Sequence, residues 1–98
     1  MEIRIQPIHF DVSQQLESFI QKKISKLAKF HDGIIAAEVV LKVVKPESAM
    51  NKDVSVRLDV PGPDFFATKT SNSFEEAIDI VVEALEKQLL KYKEKQRK

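Results

Sequence analysis

Residues 73–92, SFEEAIDIVVEALEKQLLKY, read as one long helix with a single apolar side. Ser73 and Glu76 stand in capping-box spacing, each side chain able to satisfy the other's backbone N–H. Phe74, Ile78, Val81, Leu85, Leu89 and Tyr92 then recur at intervals of three or four, one unbroken stripe. A helix of about five turns cannot hide such a stripe within itself. It needs a broad apolar surface to lie on, and the preceding sequence offers one.

Four segments read as strands. In residues 2–8 Ile3 and Ile5 share a side, and Pro7 suits a strand end or an edge because it cannot donate to a ladder. Residues 34–44, IIAAEVVLKVV, are rich in β-branched side chains and predict a long second strand. DVSVRLDV places Val54, Val56, Leu58 and Val60 on one face, the alternation of a half-buried strand. Pro61-Gly62 suits the centre of a type II turn, and DFFATKT returns as the fourth strand. Phe65 and Phe66, being adjacent, must face opposite sides: one belongs to the core, the other to the surface, where it could stack on a base.

Between the first two strands, Ser13 offers an N-cap to a helix of about 18 residues carrying Leu16, Ile20, Ile24 and Leu27, flanked by Phe19 and Phe30. Asp32-Gly33 marks its end, with glycine expected to take a left-handed backbone. The order is β-α-β-β-β-α. A strand–helix–strand link makes strands parallel, whereas short links make hairpins. The predicted class is therefore α+β, a four-stranded mixed sheet with two parallel helices on one face. Their C-terminal ends then lie together.

Ninety-eight residues, 43% hydrophobic and 32% charged, fit one domain spanning residues 1–98. No apolar run approaches the roughly 18 residues needed to span a bilayer, and residues 1–8 lack the pattern of a secretory signal, so a cytoplasmic protein without membrane contact is expected. The absence of cysteine excludes disulfides and thiolate chemistry. His9 and His31 have no partners at ligand spacing, so no metal site is expected. Gly33 and Gly62 cannot form a phosphate-cradling loop, and Ser13 and Ser73 read as caps rather than nucleophiles. His31, near a helix C-terminus, reads as a capping or surface residue. An acylphosphatase-like enzyme would want a further strand after the second helix. No enzyme, cofactor or small-molecule substrate is expected.

Charge is unevenly spread. Residues 87–98, KQLLKYKEKQRK, contain six Lys or Arg and one Glu, whereas residues 1–86 hold 10 Lys+Arg against 14 Asp+Glu. At about 100° per residue from Phe74, Lys87, Lys91, Lys95 and Lys98 form one arc beside the apolar stripe, and Glu75, Asp79, Glu83 and Glu86 fall on the other flank. From Leu16, the lysines Lys22, Lys26 and Lys29 form a similar arc, with Lys23 nearer the core edge. Packed helices stand about 8–10 Å apart, near the Debye length of about 8 Å at physiological salt. The two arcs are thus expected to add over one groove suited to phosphates. The alternative is a solvated helix end, since the macrodipole alone favours lysine there.

The residues that carry these arcs also resemble a known family. Ala77-Ile78-Asp79, Lys87-Gln88-Leu89, Lys91, Lys93 and Lys95, together with Lys23, Lys26, Leu27 and the strand VVLKV, are similar to the ribosome hibernation-promoting factor and ribosome-associated inhibitor family. The resemblance spans the whole chain. It implies a protein that binds the small ribosomal subunit in the decoding region, blocks messenger and transfer RNA sterically, and represses translation in stationary phase or stress. The implied ribosomal RNA contacts are Lys23, Lys26, Lys87, Lys91, Lys93 and Lys95; the arcs add Lys22, Lys29 and Lys98. Ser73 stands where many relatives have Asp, and Ala84 where some have a basic residue. The chain resembles the short form, without a ribosome-pairing domain, and a monomer off the ribosome is expected. The competing reading is a protein-interaction or regulatory module whose lysines only solubilise it.

Overall fold

The computed structural model describes residues 1–96 apart from Pro46, Ser48 and Pro63, with Lys95 and Gln96 described in backbone only. The elements are β1 (Glu2–Pro7), α1 (Gln14–Ser25), a 3₁₀ turn (Lys26–Lys29), β2 (Ala36–Val43), β3 (Lys52–Asp59), β4 (Phe65–Ser71) and α2 (Phe74–Gln96). The four strands form one sheet in the order β1-β2-β3-β4. β1 runs parallel to β2, and the other two pairings are antiparallel, as the link lengths require.

Alternation decides which side of the sheet is covered. Val54, Val56 and Leu58 of β3 are fully buried and oppose Leu41, Val39 and Ala37 of β2. Helical spacing supplies the matching surface: Ile20, Ile24 and Leu27 from the first helical segment, and Ile78, Leu85 and Leu89 from α2, are all 0% exposed. Each fully buried aliphatic side chain contributes about 1.5–3 kcal/mol relative to its exposed state. Phe65 is buried in this core while Phe66 is 52% exposed on the uncovered sheet face, the opposite orientation that adjacency demands. On that same face Glu38 and Arg57 are directly paired across β2 and β3, and Arg57 Nη2 donates to Glu38 Oε2 at 2.8 Å.

Local signals explain the helix starts. The Ser13 hydroxyl accepts the Leu16 N–H at 3.1 Å, and the Ser73 hydroxyl accepts the Glu76 N–H at 3.1 Å. Such caps each stabilise a helix by about 1 kcal/mol. Gly62 takes a positive φ of 103°, as the second central position of a type II turn requires.

Two expectations change. The first helix is not α-helical to its end: after Ser25 it tightens into the 3₁₀ turn, whose C-cap Phe30 donates its N–H to Leu27 O. Nor is Gly33 left-handed, since Gly62 is the only glycine with positive φ. Gly33 lacks a side chain for another reason: a Cβ there would stand 2.8 Å from His31 Cε1. The glycine makes room for a ring.

Candidate nucleic-acid interface

The helices run in the same direction, and side chains meet in step along them. Lys23 Nζ lies 3.2 Å from Asp79 Oδ1. Further along, Lys26 shares a hollow with Val82, Glu83 and Glu86, and at the end Lys29 shares another with Tyr92 and Lys93. The C-terminal halves therefore do come together. What faces across the groove is different from expectation.

The inter-helix groove, about 370 Å³, is lined by Lys23 and Lys26 on one side and by Asp79, Glu83 and Glu86 on the other. It is a mixed-charge seam of two cations and three carboxylates, not a shared cationic cleft. The reason is geometric. A helical wheel gives two flanks to an apolar stripe, and sheet order decides which one meets the neighbour. α1 contacts β1, whereas α2 lies over β3 and β4. That arrangement turns the Val82 and Asp79 flank of α2 toward α1. Lys91 lies on the opposite flank, and Lys87 stands beside the groove, its ammonium 3.6 Å from Glu83.

Lys22 is exposed, and Lys23 is half-buried, with its ammonium 5.5 Å from the Phe19 ring centre. Lys26 and Lys29 stand three apart in the 3₁₀ turn, where side chains at that spacing eclipse, so both project from one line. Lys87 lies 3.6 Å from Glu83 in an exposed pair, of little energetic weight. Lys91 borders a separate hollow of about 280 Å³ with Asp64, Phe65, Gln88 and Tyr92, where the Gln88 amide donates to Phe66 O at 2.9 Å. Lys93 joins Lys29 at the common helix end. The Lys95 side chain and all of Lys98 lie outside the described residues. The structure thus unites Lys23 with Lys26 and Lys29 with Lys93, leaves Lys87 at the groove's margin against Glu83, and separates Lys91 from the groove.

One group escaped the sequence reading. His31, Phe65 and Tyr92 form a ring cluster at this end: His31 stacks on Tyr92 at 5.8 Å, and Phe65 meets Tyr92 edge-on at 5.5 Å. The only hint in the sequence is a glycine two residues after His31. Among the described residues there is no group of three or more His, Asp or Glu able to hold a metal ion. No helix in the described residues is long and apolar enough to cross a membrane.

A mixed four-stranded sheet backed by two parallel helices defines a small α+β class also seen in solved structures. A ribosomal subunit interface protein from Coxiella burnetii matches 95% of this chain and 98% of its own at TM-score 0.84 and 26% identity. The N-terminal domain of Thermus thermophilus Protein Y shares the fold at TM-score 0.79 and 24% identity, over 94% of this chain and 99% of its own. The chain belongs to the family described as Sigma 54 modulation protein / S30EA ribosomal protein, whose model matches residues 3–97. Among its relatives, the ribosome hibernation promoting factor of Azotobacter vinelandii is 30% identical over 98% of this chain and 86% of its own length. That of Escherichia coli K12 is 30% identical over 97% of this chain and 96% of its own.

Proposed function

We propose that this chain is a ribosome hibernation factor. Residues 1–98 act as one ribosome-binding domain, a monomer off the ribosome, working in the cytoplasm in stationary phase or stress. The domain occupies the decoding region of the small subunit, holds ribosomal RNA phosphates with the lysines of its two helices, and excludes messenger and transfer RNA by bulk. No bond is made or broken. Family membership over residues 3–97 supports ribosome hibernation as the role. The observation that carries RNA contact is the meeting of Lys29 and Lys93 from different helices at one hollow. Cations converging from two elements are less readily explained as solvated helix ends than a run along one.

Counterion release tests this directly. If about six phosphates are neutralised, log affinity for isolated small subunits should fall with log salt at a slope of about −4 to −5. Co-sedimentation across a salt series reads the slope, and a value near zero would favour a protein partner.

The carboxylates of the groove give a second expectation. Asp79, Glu83 and Glu86 oppose any phosphate chain laid along Lys23 and Lys26. Replacing Glu83 and Glu86 together with Gln preserves helix propensity and should tighten subunit binding about two- to tenfold, the scale of partly exposed charge pairs. Unchanged affinity would mean that RNA does not follow the groove.

A further inference from the structure

We propose that the hollow at the shared helix end takes a single unstacked nucleotide, its base against the His31–Tyr92 rings and its phosphate between Lys29 and Lys93. The inference rests on the RNA-binding reading above and deepens it, from phosphate contact along the helices to a seat for one nucleoside phosphate.

Three features support this occupant. The hollow encloses about 370 Å³, room for one nucleotide, and it is lined by Lys29, Phe30, His31, Asp32, Tyr92 and Lys93. Two ammonium groups against one carboxylate leave it cationic, which suits a phosphate. Two rings of the cluster belong to the same lining, His31 stacked on Tyr92 with planes 26° apart, while Phe65, edge-on to Tyr92, supports them from outside it. Aromatic faces of this kind accept any base, because every base has a π-face.

The cluster is also fixed in place. The Gly33 N–H donates to His31 Nδ1 at 2.8 Å, so in the neutral ring Nε2 carries the proton and is the remaining donor. Gly33 lies so close to the ring that a Cβ there would meet His31 Cε1 at 2.8 Å. A ring held on one side by a backbone amide and on another by Tyr92 loses little freedom when a base arrives, which is the advantage of preorganisation. A purely structural apolar cluster would have no use for two lysines and an exposed rim. The helical lysines alone, conversely, would have no use for the rings.

Tyr92 is the only tyrosine, and the chain has no tryptophan, so its emission reports on this end of the molecule, where it lines this hollow and also the one beside Lys91; the Lys29, Lys93 and His31 variants tell the two apart. The full chain is titrated at low salt with a uridylate hexamer, with UMP and with inorganic phosphate. Saturable quenching by the hexamer is expected, about tenfold weaker in the Lys29→Gln/Lys93→Gln variant and at least about fivefold weaker in His31→Ala, the scale of one base–aromatic stack. Circular dichroism confirms that both variants fold. Quenching by UMP as tight as by the hexamer identifies a free nucleotide as the occupant; tighter quenching by the hexamer identifies an RNA strand. If neither ligand quenches, or if quenching is equal in all three proteins, the inference is overturned. Co-sedimentation of the same proteins with small subunits separates the two levels: normal co-sedimentation with silent Tyr92 removes the nucleotide seat and leaves the hibernation reading standing, whereas loss of both removes both.

Discussion

Reversing Lys26 and Lys91 together to Glu should weaken binding to isolated small subunits by about a hundredfold or more while leaving the fold intact. Removing one charge-assisted hydrogen bond to a phosphate costs about 1.5–3 kcal/mol, and reversal adds repulsion. Both side chains are exposed and lie off the buried stripes, so the unfolding free energy should fall by no more than about 1 kcal/mol, the scale of partly exposed charges, with Lys26→Glu facing Glu83 and Glu86. The structure makes the single variants informative as well. Lys26 lines the inter-helix groove and Lys91 the hollow on the β4 side of α2. A loss confined to Lys26→Glu would place RNA along the groove; one confined to Lys91→Glu would place it on the outer flank. A double variant that co-sediments normally would remove both surfaces from the interface.

Leu85→Ala should produce the largest loss of stability. Leu85 is fully buried where α2 meets the sheet, and truncating such a residue costs about 2–5 kcal/mol in transfer energy and residual cavity. A domain of this length has about 5–15 kcal/mol in total, so at mid-range about a third of its stability is at stake. Urea unfolding should show a lowered midpoint with unchanged slope. Leu90, 46% exposed on the same helix, is the control, and its replacement by Ala should stay within about 0.5 kcal/mol. Equal effects at the two positions would mean that α2 does not pack by its apolar stripe.

Comparison of these two residues also shows what the sequence makes legible. Burial along α2 follows from a period of 3.6, so Leu85 and Leu90 are told apart by counting. Strand order is equally accessible, because link length separates a crossover from a hairpin. The placement of Lys91 relative to α1 is not. It depends on which side of α2 the neighbouring helix lies, a property of the assembled sheet, and the flank carrying Asp79 and Glu86 turned out to face the groove. The ring cluster was hidden for a related cause. His31, Phe65 and Tyr92 come from a loop, a strand and a helix, so no local spacing links them. Gly33 was read through its backbone freedom, although its role is to leave space.

The hydrogen bond from the Gln88 amide to the Phe66 carbonyl bears on how copies of this chain behave when crowded. β4 is a border strand, and an open carbonyl there is an invitation for another molecule's strand to extend the sheet. A side chain from the protein's own helix already occupies that acceptor. Together with Pro7, which offers no N–H at the opposite border, it discourages edge-to-edge ribbon growth at high concentration.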